Sequence, residues 1–254
     1  MYTETNKEEQ LLTGRFNDFA NSCYKRNIPV FSSFLNLNEQ SILDKCRAKL
    51  PPVCLLTEGG YNLAERKLAI FLPEYDTKYE PPFNIVKISP ADKRFSKDLT
   101  HRDYLGAMMN LGIDRGLIGD IVIIESDAYV FCLKKITEFI VENLTKVRND
   151  IVVCEIKDSL PDGFEPSYKE IVGSVASLRL DALISLAFNE SRSKSVSYIE
   201  NGIVFVNGKV ITTNAYNIKE GEIISVRGHG RFMYLYTKSE TKKGRYMVVL
   251  NLYV

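Results

Sequence analysis

Apolar residues in the first third of the chain recur twice at helical spacing and then gather in short runs. Each helical set combines positions three and four apart, which lie on one face of a helix. The two sets are Leu11, Leu12, Phe16 and Phe19, and Ile42, Leu43, Cys46 and Leu50. A short apolar run predicts a strand at residues 53–56, and Asn62 followed by Glu65 predicts a helix start of the capping-box type. Residues 67–72 are expected to be another strand or a continuation of that helix. We therefore expect an α/β domain over residues 1–80.

The middle of the chain alternates strand and helix patterns in a regular order. Helical patterns occupy residues 100–111 and 135–144, the second with Ile136, Phe139, Ile140 and Leu144 in register. The predicted strands are residues 83–88, 119–124, 128–133 and 151–156. The resulting order, β-α-β-β-α-β, is the ferredoxin-like arrangement shared by many RNA-binding domains and many enzymes. We expect an RRM-like domain of this fold over residues 81–165, and the order alone does not specify a function.

The last segment, residues 166–254, predicts two helices followed by several strands. The apolar face of the first helix consists of Leu180, Leu183, Ile184 and Ala187. Asn207-Gly208, between two apolar runs, predicts a hairpin with a type I′ turn. The chain is therefore predicted to be an α+β protein of three domains, with boundaries after residues 80 and 165.

Composition narrows the function classes only slightly. The chain has 254 residues, a net charge of +1 and 45% hydrophobic residues, which is ordinary for a globular protein. Its five cysteines form no CxxC pair and it has two histidines, so we expect reduced thiols, no metal site and no cofactor. No apolar run approaches the ~18 residues of a membrane span and no leader pattern is present, so we expect a cytoplasmic protein without a membrane partner.

Charge is distributed unevenly along the chain. Residues 165–254 hold 12 basic and 8 acidic residues, whereas residues 1–164 hold 21 basic and 24 acidic residues. Ser191 is placed to cap the second C-terminal helix, so Arg192 and Lys194 fall in its first turn, where the helix dipole favours anions. Cations beside hydroxyls and free backbone N–H groups favour an anion-binding site there, although a solvated helix start has the same sequence.

Other polar residues of this segment complete the predicted site. If the two helices pack on the small sheet, the cations share one face spaced for successive phosphates, which would position a nucleic acid without reading its sequence. The candidate RNA-binding residues are Arg179, Ser191, Arg192, Ser193, Lys194, Asn207, Lys209, Arg227 and Arg231. No catalytic residue is assigned.

The segments that carry these residues resemble known RNA-binding proteins. Residues 179–232 resemble the alpha-L RNA-binding motif, which is known from a small-subunit ribosomal protein, pseudouridine synthases and heat-shock RNA-binding proteins. The matching pieces include Arg179-Leu180-Asp181, Ser191-Arg192-Ser193 and Val206-Asn207-Gly208-Lys209. Upstream segments are similar to the bacterial YlmH family, namely Gly59-Gly60-Tyr61, Ala64-Glu65-Arg66, residues 101–107, Ile118-Gly119-Asp120-Ile121 and residues 128–131.

The resemblance implies more than the residue patterns do. It implies an N-terminal α/β domain, a central RRM-like domain and a C-terminal RNA-binding module. It further implies binding to large ribosomal subunits obstructed by peptidyl-tRNA, and support of C-terminal tailing of the stalled chain. The expected partners are therefore rRNA and tRNA, together with other quality-control factors. We expect a monomer that is not an enzyme and has no small-molecule substrate.

Two alternatives come from other function classes. One is an RNA-modifying enzyme, similar to a pseudouridine synthase, whose N-terminal domains carry an active site. Arg179-Leu180-Asp181 is similar to the catalytic aspartate motif of some pseudouridine synthases, but that fold would need far more chain around the aspartate, so Asp181 is expected to pair with a nearby arginine or to cap backbone. A cell-division-associated scaffold that uses the RNA-binding module as a tether is the other alternative. His101-Arg102-Asp103 is similar to a kinase catalytic loop but is expected to be an exposed helix start. Tyr129 and Phe131 have the spacing of RRM stacking residues, with core packing expected for at least one of them.

Overall fold

The computed structural model describes residues 2–62, 64–75, 78–92, 99–164, 168–241 and 244–253, with side chains from residue 7 onward. The chain forms two compact units, Met1–Glu165 and Pro166–Val254. Each unit combines helices with β-sheet, so the predicted α+β class is confirmed. The further division of the first unit after residue 80 stays a prediction. Among the helices of the described ranges, none combines the length and the apolar character that crossing a membrane requires.

The first unit contains two sheets and four α-helices among its described residues. In chain order its elements are α1 (Tyr2–Arg26), β1 (Val30–Leu35), α2 (Leu37–Cys46), β2 (Cys54–Glu58), β3 (Lys67–Leu72), β4 (Phe83–Pro90), α3 (His101–Asn110), β5 (Ile118–Ile124), β6 (Asp127–Leu133), α4 (Lys134–Asn143), β7 (Lys146–Val147) and β8 (Asp150–Lys157). Short 3-10 turns follow α2 at Arg47–Lys49 and precede β5 at Arg115–Leu117.

The N-terminal sheet has the strand order β1-β3-β2, and α1 and α2 pack on one of its faces. Phe16 of α1, Leu43 of α2 and Phe71 of β3 are fully buried in the core between helices and sheet. Asn36 caps α2, since its Oδ1 accepts the Glu39 N–H at 3.0 Å and the Glu39 carboxylate accepts the Asn36 N–H at 2.6 Å. This reciprocal pair fixes the start of α2.

Two expectations for this region are wrong, and one strand was missed. Leu11 is 62% exposed, so the buried face of α1 passes through Phe16 and excludes this leucine. No helix begins at Asn62, because the backbone N–H groups of Glu65 and Arg66 donate to a carboxylate described below and β3 follows directly. Strand β1 was not expected at all, because its polar residues at positions 32 and 33 interrupt the apolar run.

The central sheet has the strand order β5-β6-β4-β8-β7. The first and third predicted strands, β4 and β6, lie in the middle and pair antiparallel with each other. Helices α3 and α4 cover one face, where Met108, Val130 and Ile140 are fully buried. Phe139 is exposed, contrary to the expected register of α4, because the buried line of that helix runs through Thr137 and Ile140.

The other face of the central sheet packs against the N-terminal sheet. The core between the two sheets consists of Phe34, Leu68, Ile70, Leu72, Ile85, Val122, Tyr129 and Phe131. Gly60 lies against this core with φ +89°, and a Cβ atom there would lie 2.3 Å from the Phe131 ring. Both the close approach and the left-handed backbone therefore require glycine at this position.

Asp120 of β5 fastens the turn before β3 to the central sheet. Its carboxylate accepts hydrogen bonds from the Tyr61 hydroxyl at 2.8 Å, the Glu65 N–H at 2.6 Å and the Arg66 N–H at 3.1 Å. Burial raises the pKa of Asp120, and the bonds from Tyr61 and Arg66 act in the opposite direction. The separated motifs around residues 59–61, 64–66 and 118–121 thus meet at one contact between the two sheets of the first unit.

The second unit places two helices on one face of a six-stranded antiparallel sheet. Its elements are β9 (Tyr168–Val175), α5 (Leu180–Phe188), α6 (Arg192–Glu200), β10 (Val204–Val206), β11 (Lys209–Val210), β12 (Ile223–Val226), β13 (Gly230–Glu240) and β14 (Tyr246–Tyr253). The strand order is β11-β10-β12-β13-β14-β9. The core under the helices includes Leu183, Ile199, Val226 and Phe232. Strand β9 was not expected, and it pairs with β14 along its whole length.

Candidate nucleic-acid interface

The start of α6 has the cap that the sequence predicts. The Ser191 side chain accepts the Lys194 N–H at 3.3 Å, and its Oγ lies 3.0 Å from the Ser193 Oγ. The first turn contains no acidic residue, and its cations Arg192 and Lys194 pair instead with carboxylates outside the helix, Asp181 and Glu190. Hydroxyls and cations therefore meet at one helix terminus.

A buried carboxylate organises the two arginines next to this terminus. The Asp181 side chain is 3% exposed and accepts from the Arg179 Nε at 3.1 Å and from the Arg192 guanidinium. The predicted pairing of Asp181 with a nearby arginine is confirmed. The arginine side chains remain 41% and 51% exposed, so each guanidinium keeps N–H groups that point to solvent. Asp181 thus fixes the orientation of two cationic groups without enclosing them.

Lys194 is a surface cation that takes part in a small polar cluster. Its Nζ lies 2.7 Å from Glu190 Oε1 and 5.9 Å from the centre of the Tyr198 ring. The Glu190 carboxylate raises the pKa of Lys194, and Lys194 in turn lowers the pKa of Glu190. Tyr198 also stacks on His229, with ring centres 4.3 Å apart. The cluster joins the first turn of α6 to the loop before β13.

The predicted hairpin turn presents Lys209 on the side of the helices. Asn207 and Gly208 have φ values of +47° and +75°, as a type I′ turn requires. Lys209 pairs with Val206, which faces the core, so both side chains leave the sheet on the helix side. The Asn207 Oδ1 accepts the Ile223 N–H at 3.0 Å, so this side chain ties the turn to β12.

Arg227 and Arg231 lie on the opposite side of the sheet. Arg231 precedes the buried Phe232 in β13, so it points away from the helices. Its guanidinium lies 4.5 Å from the centre of the Tyr253 ring, and that of Arg227 lies 5.2 Å from the Phe205 ring. The expectation that all candidate cations share one face is therefore wrong. We call the residues on the helix side the helix-side cluster, which comprises Arg179, Ser191, Arg192, Ser193, Lys194 and Lys209.

Comparison with known proteins yields two matching family models and a close relative. Residues 81–159 match the model described as "Putative RNA-binding domain in YlmH", and residues 178–224 match the S4 domain. The chain is 36% identical over 221 residues to the Ribosome-associated protein quality control protein P2 of Bacillus subtilis (strain 168), covering 85% of this chain and 84% of that protein. The chain belongs to the YlmH family. The resemblance inferred from separated motifs is thereby confirmed.

This YlmH-family chain is also similar to a solved structure. It is the cell division protein ylmH from Streptococcus pneumoniae, with 19% identity and a TM-score of 0.49, over 59% of this chain and 91% of that one. A TM-score at this level adds nothing to the assignment. The S4 match is more informative for the site, because residues 178–224 contain the whole helix-side cluster and end before Arg227 and Arg231.

In the RRM-like domain of this YlmH-family chain, the aromatic residues of strand β6 are buried. Phe131 is fully buried and Tyr129 is nearly so, both in the core between the two sheets of the first unit. The expectation of core packing for at least one of them is confirmed, and it holds for both. The face on which RRM domains stack bases is thus covered at these positions.

The residues that are similar to catalytic motifs have structural partners. Asp103 caps α3 by accepting the Thr100 N–H at 2.8 Å, and it lies 3.4 Å from the Arg148 Nε. The bond from Thr100 lowers the pKa of Asp103, as expected for a capping carboxylate. The expected helix start at His101 is confirmed. Within the described ranges, no group of three or more histidine, cysteine or acidic side chains is arranged to hold a metal ion.

Several residues near the site were not found from the sequence. Glu190, Tyr198, Phe205 and Tyr253 each contact a candidate cation, and none belongs to a motif with a mechanism. Strand β10 has the sequence Val-Phe-Val, so no alternation of apolar and polar residues marks Phe205 as outward-facing, and only the burial pattern of the structure does so. Tyr253 becomes a partner of Arg231 only through the pairing of β13 with β14, which the sequence does not specify.

Proposed function

We propose that this YlmH-family chain binds structured RNA of the large ribosomal subunit, rRNA together with tRNA, during quality control of stalled peptidyl-tRNA complexes. The observation that carries the proposal is the helix-side cluster, in which buried Asp181 orients two guanidinium groups beside the start of α6. Oriented guanidinium groups bind phosphates through paired hydrogen bonds. The B. subtilis relative is named as a ribosome-associated quality-control protein, which supports the same partner.

The proposed mechanism is electrostatic capture followed by docking, with no covalent step. Lys194 and Lys209 are exposed and act as point charges that attract the RNA backbone. Arg179 and Arg192 are held in fixed directions and define the register of the bound RNA. Contacts of this kind position an RNA by its shape and do not read its sequence. The chain acts in this proposal as a cytoplasmic monomer, alongside other quality-control factors.

The test is co-sedimentation of the tagged full-length protein with large ribosomal subunits at two salt concentrations. Lys194→Ala combined with Lys209→Ala should weaken binding and reduce the slope of log affinity against log salt by about 0.9 for each lost phosphate contact. Lys238→Ala is the matched control, because this exposed lysine lies on β13 outside the helix-side cluster. Arg192 is left intact because its removal would deprive a buried carboxylate of a partner. Unchanged co-sedimentation of the double variant would refute the proposal.

Catalysis of the pseudouridine-synthase type at Arg179-Leu180-Asp181 would require a reactive carboxylate at Asp181. That side chain is buried and both of its oxygens accept from arginines, which supports a positioning role instead. Analysis of nucleosides after incubation of the protein with ribosomal RNA tests this directly. Pseudouridine that forms with this protein and not with Asp181→Asn would establish the enzyme. Partners that persist after RNase treatment would favour the scaffold alternative.

A further inference from the structure

A single row of side chains crosses the whole sheet of the second unit on the face opposite the helices. Val210 pairs with Phe205, Phe205 with Ser225, and Ser225 with Arg231. Paired residues point to the same side of a sheet, and the buried neighbours of these residues point to the helix side. The row continues at Tyr253, which lies under the Arg231 guanidinium, and Tyr253 pairs with Tyr168. We call these residues the outer-face row: Val210, Phe205, Ser225, Arg231, Tyr253 and Tyr168.

The outer-face row combines aromatic rings with guanidinium planes. Arg227 lies over Phe205 at 5.2 Å and Arg231 lies over Tyr253 at 4.5 Å. Tyr168 ends the row at the sheet edge and is 49% exposed. Adjacent strands lie about 4.8 Å apart, so the row spans roughly 24 Å from β11 to β9. Two pairs of a ring and a guanidinium group and the Tyr168 ring therefore lie along this track, with Ser225 between the two pairs and Val210 at the other end.

The chemistry of the track favours nucleotides over a peptide as its occupant. Unpaired bases stack on aromatic rings and on guanidinium planes, and the phosphates between them are attracted by arginine. Arg227 is exposed and, within the described part of the chain, pairs with no carboxylate. Glu170 points to the same face and pairs with Asn251. Its carboxylate therefore lies in the neighbouring row of side chains, next to Tyr168, and not within the outer-face row.

We propose that the outer-face row is a stacking platform for unpaired RNA nucleotides, roughly two or three of them, the number that comparable sheets stack. The platform is distinct from the helix-side cluster, which faces the other side of the sheet. The inference rests on the proposed function, because it assumes that RNA is the ligand of this chain. It adds a second kind of contact, in which the bases and not only the phosphates are held.

Tyrosine 253 offers a direct optical test, because the chain contains no tryptophan. In the full-length protein, Tyr253→Trp introduces a fluorophore whose emission should be quenched, saturably, by a short oligouridylate. A fully paired RNA duplex should bind without comparable quenching. In the otherwise unaltered protein, Tyr253→Leu should weaken oligouridylate binding between about 5-fold and about 150-fold, the effect of losing one stacked base. Tyr253→Phe keeps the ring and should keep the affinity.

Matched controls separate the row from the rest of the sheet. Tyr236 is 46% exposed and lies on β13 outside the row, so Tyr236→Leu should leave oligouridylate binding unchanged. An equal loss in this control, or no quenching of the tryptophan at position 253, would overturn the inference. If RNA-free ribosomal proteins quench the tryptophan at position 253 and oligouridylate does not, this face binds a protein partner, and the inference of a stacking platform is also overturned.

The two proposals fail in distinguishable ways. If the paired duplex binds and oligouridylate does not, the stacking platform is refuted while RNA binding by the helix-side cluster stands. If neither RNA binds and ribosomes do not co-sediment, the proposed function itself fails. If Lys194→Ala with Lys209→Ala weakens binding of the duplex alone, and Tyr253→Leu weakens binding of oligouridylate alone, the two surfaces are independent sites.

Discussion

Replacing Asp181 with asparagine tests whether this carboxylate positions the two arginines or merely neutralises them. The substitution keeps the size of the side chain but removes its charge and turns one acceptor into a donor that faces a guanidinium. A hydrogen bond between charged groups contributes about 1.5–3 kcal/mol when buried. Arg179 and Arg192 are 41% and 51% exposed, so water replaces part of each interaction. We expect the second unit to lose about 1–2 kcal/mol of stability.

The sign of the effect on RNA affinity distinguishes the two roles. Simple electrostatics predicts tighter binding by Asp181→Asn, because a negative charge beside the phosphates disappears. Positioning predicts weaker binding, by roughly 5- to 30-fold, because two guanidinium groups must be ordered when RNA binds. Glu190→Gln is the control: it removes an equivalent charge next to Lys194, a flexible point charge that needs no orientation, and should leave affinity equal or slightly higher.

Fluorescence anisotropy with a labelled RNA hairpin measures both variants, and urea unfolding measures their stability. A loss of 1 kcal/mol lowers the melting temperature of a domain of this size by roughly 4–8 °C, so the binding assay is run well below the transition. The salt dependence of Asp181→Asn should keep its slope, since no cation is lost. Tighter binding by Asp181→Asn, with the protein folded, would refute the positioning role.

Three further predictions concern the scaffold. Asp120→Ala leaves three hydrogen-bond donors without their acceptor and should lower the free energy of unfolding of the first unit by about 3 kcal/mol, as measured by urea unfolding. Asp120→Asn should have an intermediate effect. An unchanged urea midpoint for Asp120→Ala would contradict a stabilising role for these hydrogen bonds. Gly208→Val forces a β-branched residue to φ +75° and should lower the melting temperature. Gly14 lies in α1, and a Cβ atom added there meets no atom within 4 Å, so Gly14→Ala should raise the free energy of unfolding by about 0.5–1 kcal/mol. Burial raises the pKa of the Cys132 thiol from 9.0 to about 11, so iodoacetamide should label it slowly at pH 8 until the protein unfolds. The pKa of the Cys132 thiol is higher in the folded protein than in the unfolded chain, so the stability that the neutral thiol contributes is complete below pH 9 and is lost as pH rises through about 11. Cys132→Ala should remove the part of the alkaline destabilisation that this thiol causes.

The sequence predicts those parts of the fold in which local patterns and tertiary packing agree. The β-α-β-β-α-β order of the central domain is correct because each element has a clear period and a breaker at its end. Asn62 and Glu65 fail as a helix start because a residue 55 positions away, Asp120, takes the Glu65 backbone donor. Strand β9 is missed because its partner β14 lies more than seventy residues further along the chain, and only that pairing makes it a strand.

In the candidate site, too, contacts between residues close in sequence were predicted, and features that depend on strand pairing were not. Ser191 is correctly identified as a cap, and Asp181 is correctly expected to pair with an arginine, since both partners lie within eleven positions. The separation of Arg231 from the helix-side cluster depends on which side of the sheet each strand residue faces. That is decided by the register of β10, β12, β13 and β14 together, and a shift of one residue would reverse it.

The shared core between the two sheets of the first unit has a consequence for dissecting the protein. A fragment that begins at residue 81 would keep every strand of the RRM-like order, yet Phe131, Tyr129 and Ile85 would lose the cover that Phe34 and Leu68 supply. Newly bared aromatic surface of this kind promotes self-association. The isolated central domain is therefore expected to self-associate. RNA binding by such a fragment would then reflect its newly exposed surface and not a property of the intact protein.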